Sequence, residues 1–186
     1  WALLILGALL HATGKPLTDS QDFAGYEAHS ATIAEKIADM LRLSNDEKTR
    51  LVRMVKNHNH ILGLPAQLTD LDIHRFWYQF GESGVDICLL TLAVHLGMVG
   101  NEINQDVWLR LLEQVQILLG AYYKRYDEVV QPPQLINGND LMTQLGLSPG
   151  KHIGQLLDVI REGQVTGDIK TVDDAIEAAR NHYDNQ

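Results

Sequence analysis

Apolar residues recur along this chain with the spacing of an α-helix. In several segments they return every three or four positions, which places them along one stripe of a helix. Ser44 and Glu47 have the spacing of a helix-starting capping box. Strand-like alternation is rare, so the pattern predicts an all-α fold. The predicted helices cover about residues 1–11, 25–41, 45–58, 70–80, 85–98 and 106–129.

The clearest break in the pattern lies at Pro132 and Pro133. Two consecutive prolines stop a helix and favour extended backbone. Short helices follow them, each bounded by Gly, Asn or Ser-Pro turns. We therefore predict a helical body at 1–130 and a small C-terminal helical module at 131–186.

The composition adds limits to this picture. The 186 residues suit one large domain, or one domain with a small appendage. The net charge of −9 excludes general nucleic-acid binding, so any RNA contact requires a local basic patch. The single cysteine, Cys88, lies in an apolar run and excludes both a disulfide framework and a cysteine-based zinc site. It is typical of a buried side chain in an intracellular protein.

The N-terminal stretch WALLILGALL resembles a membrane segment only superficially. It has about half of the roughly twenty apolar residues that a membrane span needs, it lacks a basic flank, and it runs directly into His11 and Lys15. We predict a buried helix of a cytoplasmic protein, with no membrane contact. Because the first residue is Trp1 rather than Met, we also expect the chain to begin inside a longer polypeptide.

Specific motifs occur in both parts of the chain. The C-terminal module carries LINGND, LGLSPG, IGQLL and GDIKT, and the body carries LLHATGKP, FAGYEAHSATIAEKIADMLRLSNDE, VKNHNHIL and LLTLAVHLG. Together they resemble the bacterial tRNA nucleotidyltransferase/poly(A) polymerase family, the CCA-adding enzymes, over essentially the whole chain. The resemblance implies an HD-like helical body followed by a module that binds RNA.

The body departs from the HD pattern at the residues that would hold a metal. The resemblance implies that Ala12 replaces an Asp, Tyr26 a His and His95 an Asp, whereas His11 and His58 keep their type. A hydrolytic metal site needs carboxylate and imidazole ligands with an open coordination position. We therefore expect no metal in this segment. Two further histidines are potential substitute ligands, namely His29 and His60.

The nucleotidyltransferase head that the family carries is not recognisable here. That head would have a Gly-Ser turn and paired aspartates that hold Mg²⁺, and no Gly-Ser dipeptide occurs in the sequence. The resemblance implies a head N-terminal to Trp1, as a domain of the same parent chain. We expect this segment alone to have no cofactor and no catalytic activity.

Basic residues in three regions are candidates for RNA contacts. Four lie within one predicted helix, two follow a tyrosine pair, one opens a helix whose free N–H groups suit a phosphate, and one lies further along that helix. Each is equally compatible with an ordinary solvated surface. These residues are Lys48, Arg50, Arg53, Lys56, Lys124, Arg125, Lys151 and Arg161.

Three functions follow as hypotheses. The first is the C-terminal portion of a tRNA nucleotidyltransferase or poly(A) polymerase, which binds and positions RNA, and the resemblance implies that this RNA is tRNA. The second is an HD-superfamily phosphohydrolase with an altered or lost metal site. The third is a helical interaction domain with no RNA role. The sequence leaves open whether the parent adds CCA, A, CC or poly(A).

Overall fold

The computed structural model describes residues 1–18, 22–99 and 103–184, and they form helices joined by turns, with no strand. The all-α prediction is confirmed. The segment between the predicted helices at 85–98 and 106–129 lies partly outside the described residues. The helices are α1 (Ala2–Leu10), α2 (Tyr26–Met40), α3 (Asn45–Asn57), α4 (Asp70–Phe80), α5 (Ser83–Val99), α6 (Gln105–Lys124), α7 (Gly138–Leu145), α8 (Lys151–Thr166) and α9 (Val172–Asp184).

Side-chain caps mark the starts of several of these helices, among them α3 and α4. The capping box predicted before α3 is present: the Ser44 hydroxyl accepts from the Glu47 N–H, and the Glu47 carboxylate accepts from the Ser44 N–H at 2.9 Å. These hydrogen bonds lower the pKa of Glu47. Thr69 and Asp72 make the same reciprocal pair at the start of α4.

The helix predicted to reach Val129 ends earlier, at Lys124. Arg125 leaves the helical conformation, with φ −131° and ψ 32°, and a single π-helical turn follows at Tyr126–Val130. This turn buries Val129 and Val130. The two valines continue the apolar stripe of the preceding helix in the sequence, so the pattern does not reveal the break in the backbone at Arg125.

The chain divides into two compact units. Unit 1 comprises residues 1–67 and 79–119, and unit 2 comprises residues 68–78 and 120–186. The predicted boundary near residue 131 stays a prediction. In unit 2 the His74 Nδ1 atom donates to the carbonyl of Val129 at 2.8 Å, a contact across 55 residues that no local pattern predicts.

Unit 1 is built around the inner face of α3. Leu51, Met54 and Val55 are fully buried there. Helix α1 approaches α3 closely at Gly7, where an added Cβ would lie 2.4 Å from the Met54 Cε atom. A side chain at this position would therefore require the end of the flexible Met54 side chain to move.

Helix α1 is less buried than its apolar sequence predicts, and the expectation of a buried central helix is wrong. Only Gly7 and Leu10 are buried, whereas Trp1, Ile5 and Leu9 are 93%, 61% and 70% exposed. Across the described ranges, no single helix is both long and apolar enough to cross a membrane. Helices α4 and α5 meet that length and hydropathy only when taken together.

Unit 2 has its own core, formed largely by the C-terminal helices. Leu141, Leu156 and Ala175 bring α7, α8 and α9 together, with Leu141 and Ala175 fully buried. Gly146 and Gly167 end α7 and α8 in the left-handed conformation, as the sequence predicts, with φ of 66° and 81°. The short, punctuated segments thus pack as a small helical cluster.

Candidate functional site

The turn LLHATGKP joins α1 to α2 through a close backbone contact. The Gly14 N–H donates to the hydroxyl of buried Ser30 at 2.9 Å. A Cβ on Gly14 would lie 2.3 Å from the Tyr26 carbonyl oxygen and 2.5 Å from the Ser30 nitrogen. Gly14 is therefore required by packing, and its contact holds the turn after His11 and Ala12 against the start of α2 at Tyr26.

Tyr26 and His58 form a buried hydrogen bond where the resemblance implies metal ligands. The His58 Nδ1 atom lies 2.7 Å from the Val55 carbonyl oxygen, which can only accept, so Nδ1 carries the proton. The Nε2 atom of the neutral ring then accepts from the Tyr26 hydroxyl at 2.9 Å. His58 is fully buried, and this burial lowers its pKa. The nitrogen that a metal would use is therefore occupied by a tyrosine hydroxyl.

The hydrogen bonds continue from Tyr26 to a carboxylate. Asn59 donates from Nδ2 to the Tyr26 oxygen at 3.1 Å and to the Glu27 Oε1 atom at 2.9 Å. The Lys15 ammonium lies 5.1 Å from the centre of the Tyr26 ring. Burial raises the pKa of Tyr26, so the hydroxyl stays protonated and remains a donor to His58.

The other histidines of the predicted set have separate environments. His11 meets His58 edge to face at 5.2 Å between ring centres, and its Nδ1 atom lies 2.8 Å from the Ala8 carbonyl oxygen. His95 instead lies parallel to the Trp108 ring at 5.8 Å. Among residues 1–18, 22–99 and 103–184, no group of three or more His, Cys, Asp or Glu is placed to hold a metal ion.

The two substitute ligands considered from the sequence are not brought into this cluster. His29 is exposed on α2, and His60 packs edge to face on Phe80 at 4.8 Å between ring centres. The geometry thus gives no support to a metal-dependent phosphohydrolase, because the one well-placed imidazole nitrogen already has a hydroxyl partner. The expected absence of a metal stays a prediction.

A basic groove lies in unit 1, formed by α3, the end of α4 and one residue of α2. It encloses about 400 Å³. Arg53 and Lys56 are exposed, and the guanidinium of Arg53 donates to the Phe80 carbonyl at 3.4 Å. We call this site the α3 groove. Its lining residues are Glu35, Lys48, Thr49, Val52, Arg53, Lys56, Asn57, Gln79 and Phe80.

The four cations predicted on α3 are not equally available. Lys48 is paired with Asp39 at 2.9 Å, and this hydrogen bond raises its pKa. Arg50 is paired with Asp86, which is largely buried. Within the described residues, Arg53 and Lys56 form no ion pair with a carboxylate. Two of the four are therefore placed for an anionic ligand.

The cations predicted in unit 2 divide in the same way. Arg125 holds both oxygens of Asp70, at 3.0 and 2.8 Å, and Arg161 donates to Asp158 at 3.0 Å. Lys124 and Lys151 are exposed. Lys151 is the first residue of α8, next to the free N–H groups that suit an anion.

Sequence reasoning missed several residues of the α3 groove. Asn57 follows Lys56 directly, but Gln79 lies 22 positions further along the chain and reaches the groove only because α4 ends there. The sequence offered one signal for Asn57, because its side-chain amide directly follows the predicted RNA-binding residue Lys56. No local pattern marks Gln79 or Glu35.

The motifs identified in the sequence agree with a comparison against known families. The profile of the family described as tRNA nucleotidyltransferase domain 2 matches residues 27–179. The chain belongs to this tRNA nucleotidyltransferase family. The match includes the whole α3 groove and also Lys124 and Lys151 of unit 2. No solved structure shows significant similarity to the chain.

Curated members of the same enzyme class are similar over most of the chain. An A-adding tRNA nucleotidyltransferase of Deinococcus radiodurans is 28% identical over 183 residues, which is 93% of this chain and 40% of that protein. A CC-adding tRNA nucleotidyltransferase of Thermus thermophilus is 29% identical over 181 residues, 91% of this chain and 38% of that protein. The chain thus spans about 40% of the length of these tRNA nucleotidyltransferases.

Proposed function

We propose that this chain is the RNA-binding helical portion of a tRNA nucleotidyltransferase, and that it positions tRNA for a catalytic head domain of the same parent protein. The observation that carries the proposal is the alignment: the relatives match more than nine tenths of this chain but only about 40% of their own length. The remaining length of such enzymes is where we place nucleotidyl transfer and its Mg²⁺ ions.

The acidic triplet Asp70-Leu71-Asp72 does not supply that chemistry in this chain. Asp72 caps α4 through Thr69, and Asp70 is held by the guanidinium of Arg125. Carboxylates that hold two metal ions must direct free oxygens at a shared point. Both groups instead stabilise the fold of unit 2, which supports a binding role rather than a catalytic one.

Four exposed cations that form no ion pair with a carboxylate are the proposed contacts with the tRNA backbone. They are Arg53 and Lys56 in unit 1 and Lys124 and Lys151 in unit 2. Because the net charge is −9, RNA contacts depend on local positive charge rather than on the surface as a whole. The relatives add A or CC, so the identity of the added nucleotide is not part of the proposal.

Salt-dependent binding tests the proposal. Fluorescence anisotropy of labelled tRNA with the 186-residue chain should show affinity that falls steeply between about 50 and 200 mM salt. Replacement Lys56→Gln should reduce the slope of log K against log salt by about 0.7–0.9, the contribution of one phosphate contact. Arg125→Gln is the matched control, since its charge is already neutralised by Asp70.

Two results would contradict the proposal. Undetectable tRNA binding at low salt would remove the RNA role of this chain. An equal loss for Lys56→Gln and Arg125→Gln would show that general charge, rather than the assigned contacts, sets the affinity. Metal analysis addresses the phosphohydrolase hypothesis separately, because a full equivalent of divalent metal bound at His11 and His58 would revive it.

A further inference from the structure

The α3 groove has features beyond those that a backbone contact requires. Its volume of about 400 Å³ lies within the range of small-molecule sites. Besides cations, the lining carries two side-chain amides, Asn57 and Gln79, and the half-buried Val52 contributes apolar surface. A phosphate alone would use only the cations.

Two cations of the groove, Arg53 and Lys56, are placed for the same ligand. Arg53 and Lys56 are three positions apart on α3, so their side chains emerge on one face. The guanidinium of Arg53 lies at the groove, with Nη1 3.4 Å from the Phe80 carbonyl oxygen, and its other N–H donors are left for an anion. Lys48 also lines the groove, but its charge is shared with Asp39 and Glu35.

The two side-chain amides of the groove, Asn57 and Gln79, are suited to the hydrogen-bonding edge of a base. The Nδ2 atom of Asn57 donates to the Arg53 carbonyl at 2.7 Å, which fixes the orientation of the amide and leaves its oxygen as an acceptor. Gln79 is exposed at the end of α4 and offers both a donor and an acceptor. Amides of this kind bind the hydrogen-bonding edges of bases that are not engaged in pairing.

An acidic neighbour limits what the groove can take. A second groove of about 380 Å³ shares Thr49, Arg53 and Phe80 with the first. Its lining carries three carboxylates, Asp46, Glu47 and Glu82, and one further cation, Arg50, which is already paired with Asp86. A second phosphate strand across this surface would meet net negative charge, so the site favours a single strand over a duplex.

We propose that the α3 groove binds one unpaired nucleotide of RNA, with its phosphate on Arg53 and Lys56 and its base against Val52 and the amides of Asn57 and Gln79. This inference rests on the proposed function for the choice of RNA. It adds that the site requires a base as well as a phosphate and rejects base-paired RNA.

Nuclear magnetic resonance of the ¹⁵N-labelled 186-residue chain tests the proposal. Titration with AMP should shift the side-chain signals of Arg53, Asn57 and Gln79, and AMP should bind several-fold more tightly than ribose 5-phosphate or inorganic phosphate. Arg53→Gln should weaken AMP binding by at least about ten-fold, because a charge-assisted bond to phosphate is lost. Lys36→Gln, an exposed cation of α2 outside the groove, is the matched control and should leave AMP binding unchanged.

The base requirement has its own tests. Asn57→Ala should weaken AMP several-fold and leave inorganic phosphate unaffected. A single-stranded RNA hexanucleotide should bind more tightly than the same sequence in a blunt duplex. Equal affinities for AMP and ribose 5-phosphate, or for single strand and duplex, would overturn the inference.

The two proposals fail in distinguishable ways. If tRNA binds with the expected salt dependence while AMP and the single strand leave the α3 groove signals unmoved, the groove inference is wrong and the proposed function stands. If AMP binds in the groove but tRNA does not bind at all, the proposed function is wrong.

Discussion

Replacing Tyr26 by Phe should destabilise unit 1 by leaving a buried imidazole nitrogen without its donor. The Tyr26 hydroxyl donates to His58 Nε2 at 2.9 Å, and the His58 side chain is fully buried. Phenylalanine keeps the ring, so the change isolates the hydroxyl. Because Asn59 retains its second acceptor on Glu27, the loss falls mainly on His58.

The magnitude follows from the desolvation of one polar atom. A buried acceptor left unsatisfied costs about 1–3 kcal/mol. For a chain of this size each kcal/mol lowers Tm by about 2–4 °C, so a central loss of about 2 kcal/mol corresponds to about 4–8 °C. Urea unfolding followed by circular dichroism would measure the free energy, and hydrogen exchange of α2 and α3 amides would locate the loss in unit 1.

The matched control is Tyr123→Phe. Tyr123 is 68% exposed, and its hydroxyl makes no hydrogen bond with the described residues. Its replacement should change the free energy of unfolding by less than about 0.5 kcal/mol. If Tyr26→Phe is as mild as this control, the Tyr26–His58 bond does not stabilise unit 1 and the reasoning fails.

Three further changes test other parts of the structure. Lowering the pH below about 6.5 should reduce the free energy of unfolding, because burial lowers the pKa of His58 and the unfolded chain therefore binds the proton first. This stability is fully present above the ordinary histidine pKa of 6.5 and is lost as the pH falls towards the lower pKa of the folded state. Constant urea midpoints from about pH 7.5 to 5 would contradict this. Gly14→Ala should lower the free energy of unfolding by about 3 kcal/mol or more in the same assay, because its Cβ would overlap backbone atoms. In the control Gly63→Ala the Cβ faces open space, so this change should be neutral or stabilising by about 0.4–1 kcal/mol. Equal effects of the two changes would refute the packing argument. Cys88 should react slowly with a thiol reagent at about pH 8 in the folded chain and quickly in urea, because burial raises its pKa to about 12, and similar rates in both states would contradict its burial.

Local sequence signals located most helix ends correctly. Ser44 with Glu47 and Gly146 act through atoms within a few residues, so their patterns can be read without knowing the rest of the fold. The same locality explains the error at Val129. Its apolar spacing continues the helical stripe, but the backbone breaks at Arg125, whose side chain holds Asp70, 55 residues away.

The division into units was harder to predict for a related reason. Pro132 and Pro133 mark where a helix stops, and that position is visible in the sequence. Compact units are instead defined by long-range packing, such as the bond from His74 to the Val129 carbonyl. The exposure of Ile5 and Leu9 was missed because an apolar sequence shows what a helix can bury, not which neighbour is present to cover it.

The sequence by itself determined the helical fold, the positions of the helix caps and, through its motifs, the tRNA nucleotidyltransferase family. The assignment of His11, Ala12, Tyr26, His58 and His95 to an altered HD pattern stays a prediction from the resemblance. Only the tertiary structure decided the partner of the His58 Nε2 atom, namely the Tyr26 hydroxyl, and which predicted cations remain available. Both outcomes depend on distances between side chains far apart in the chain, and a one-dimensional pattern does not contain those distances.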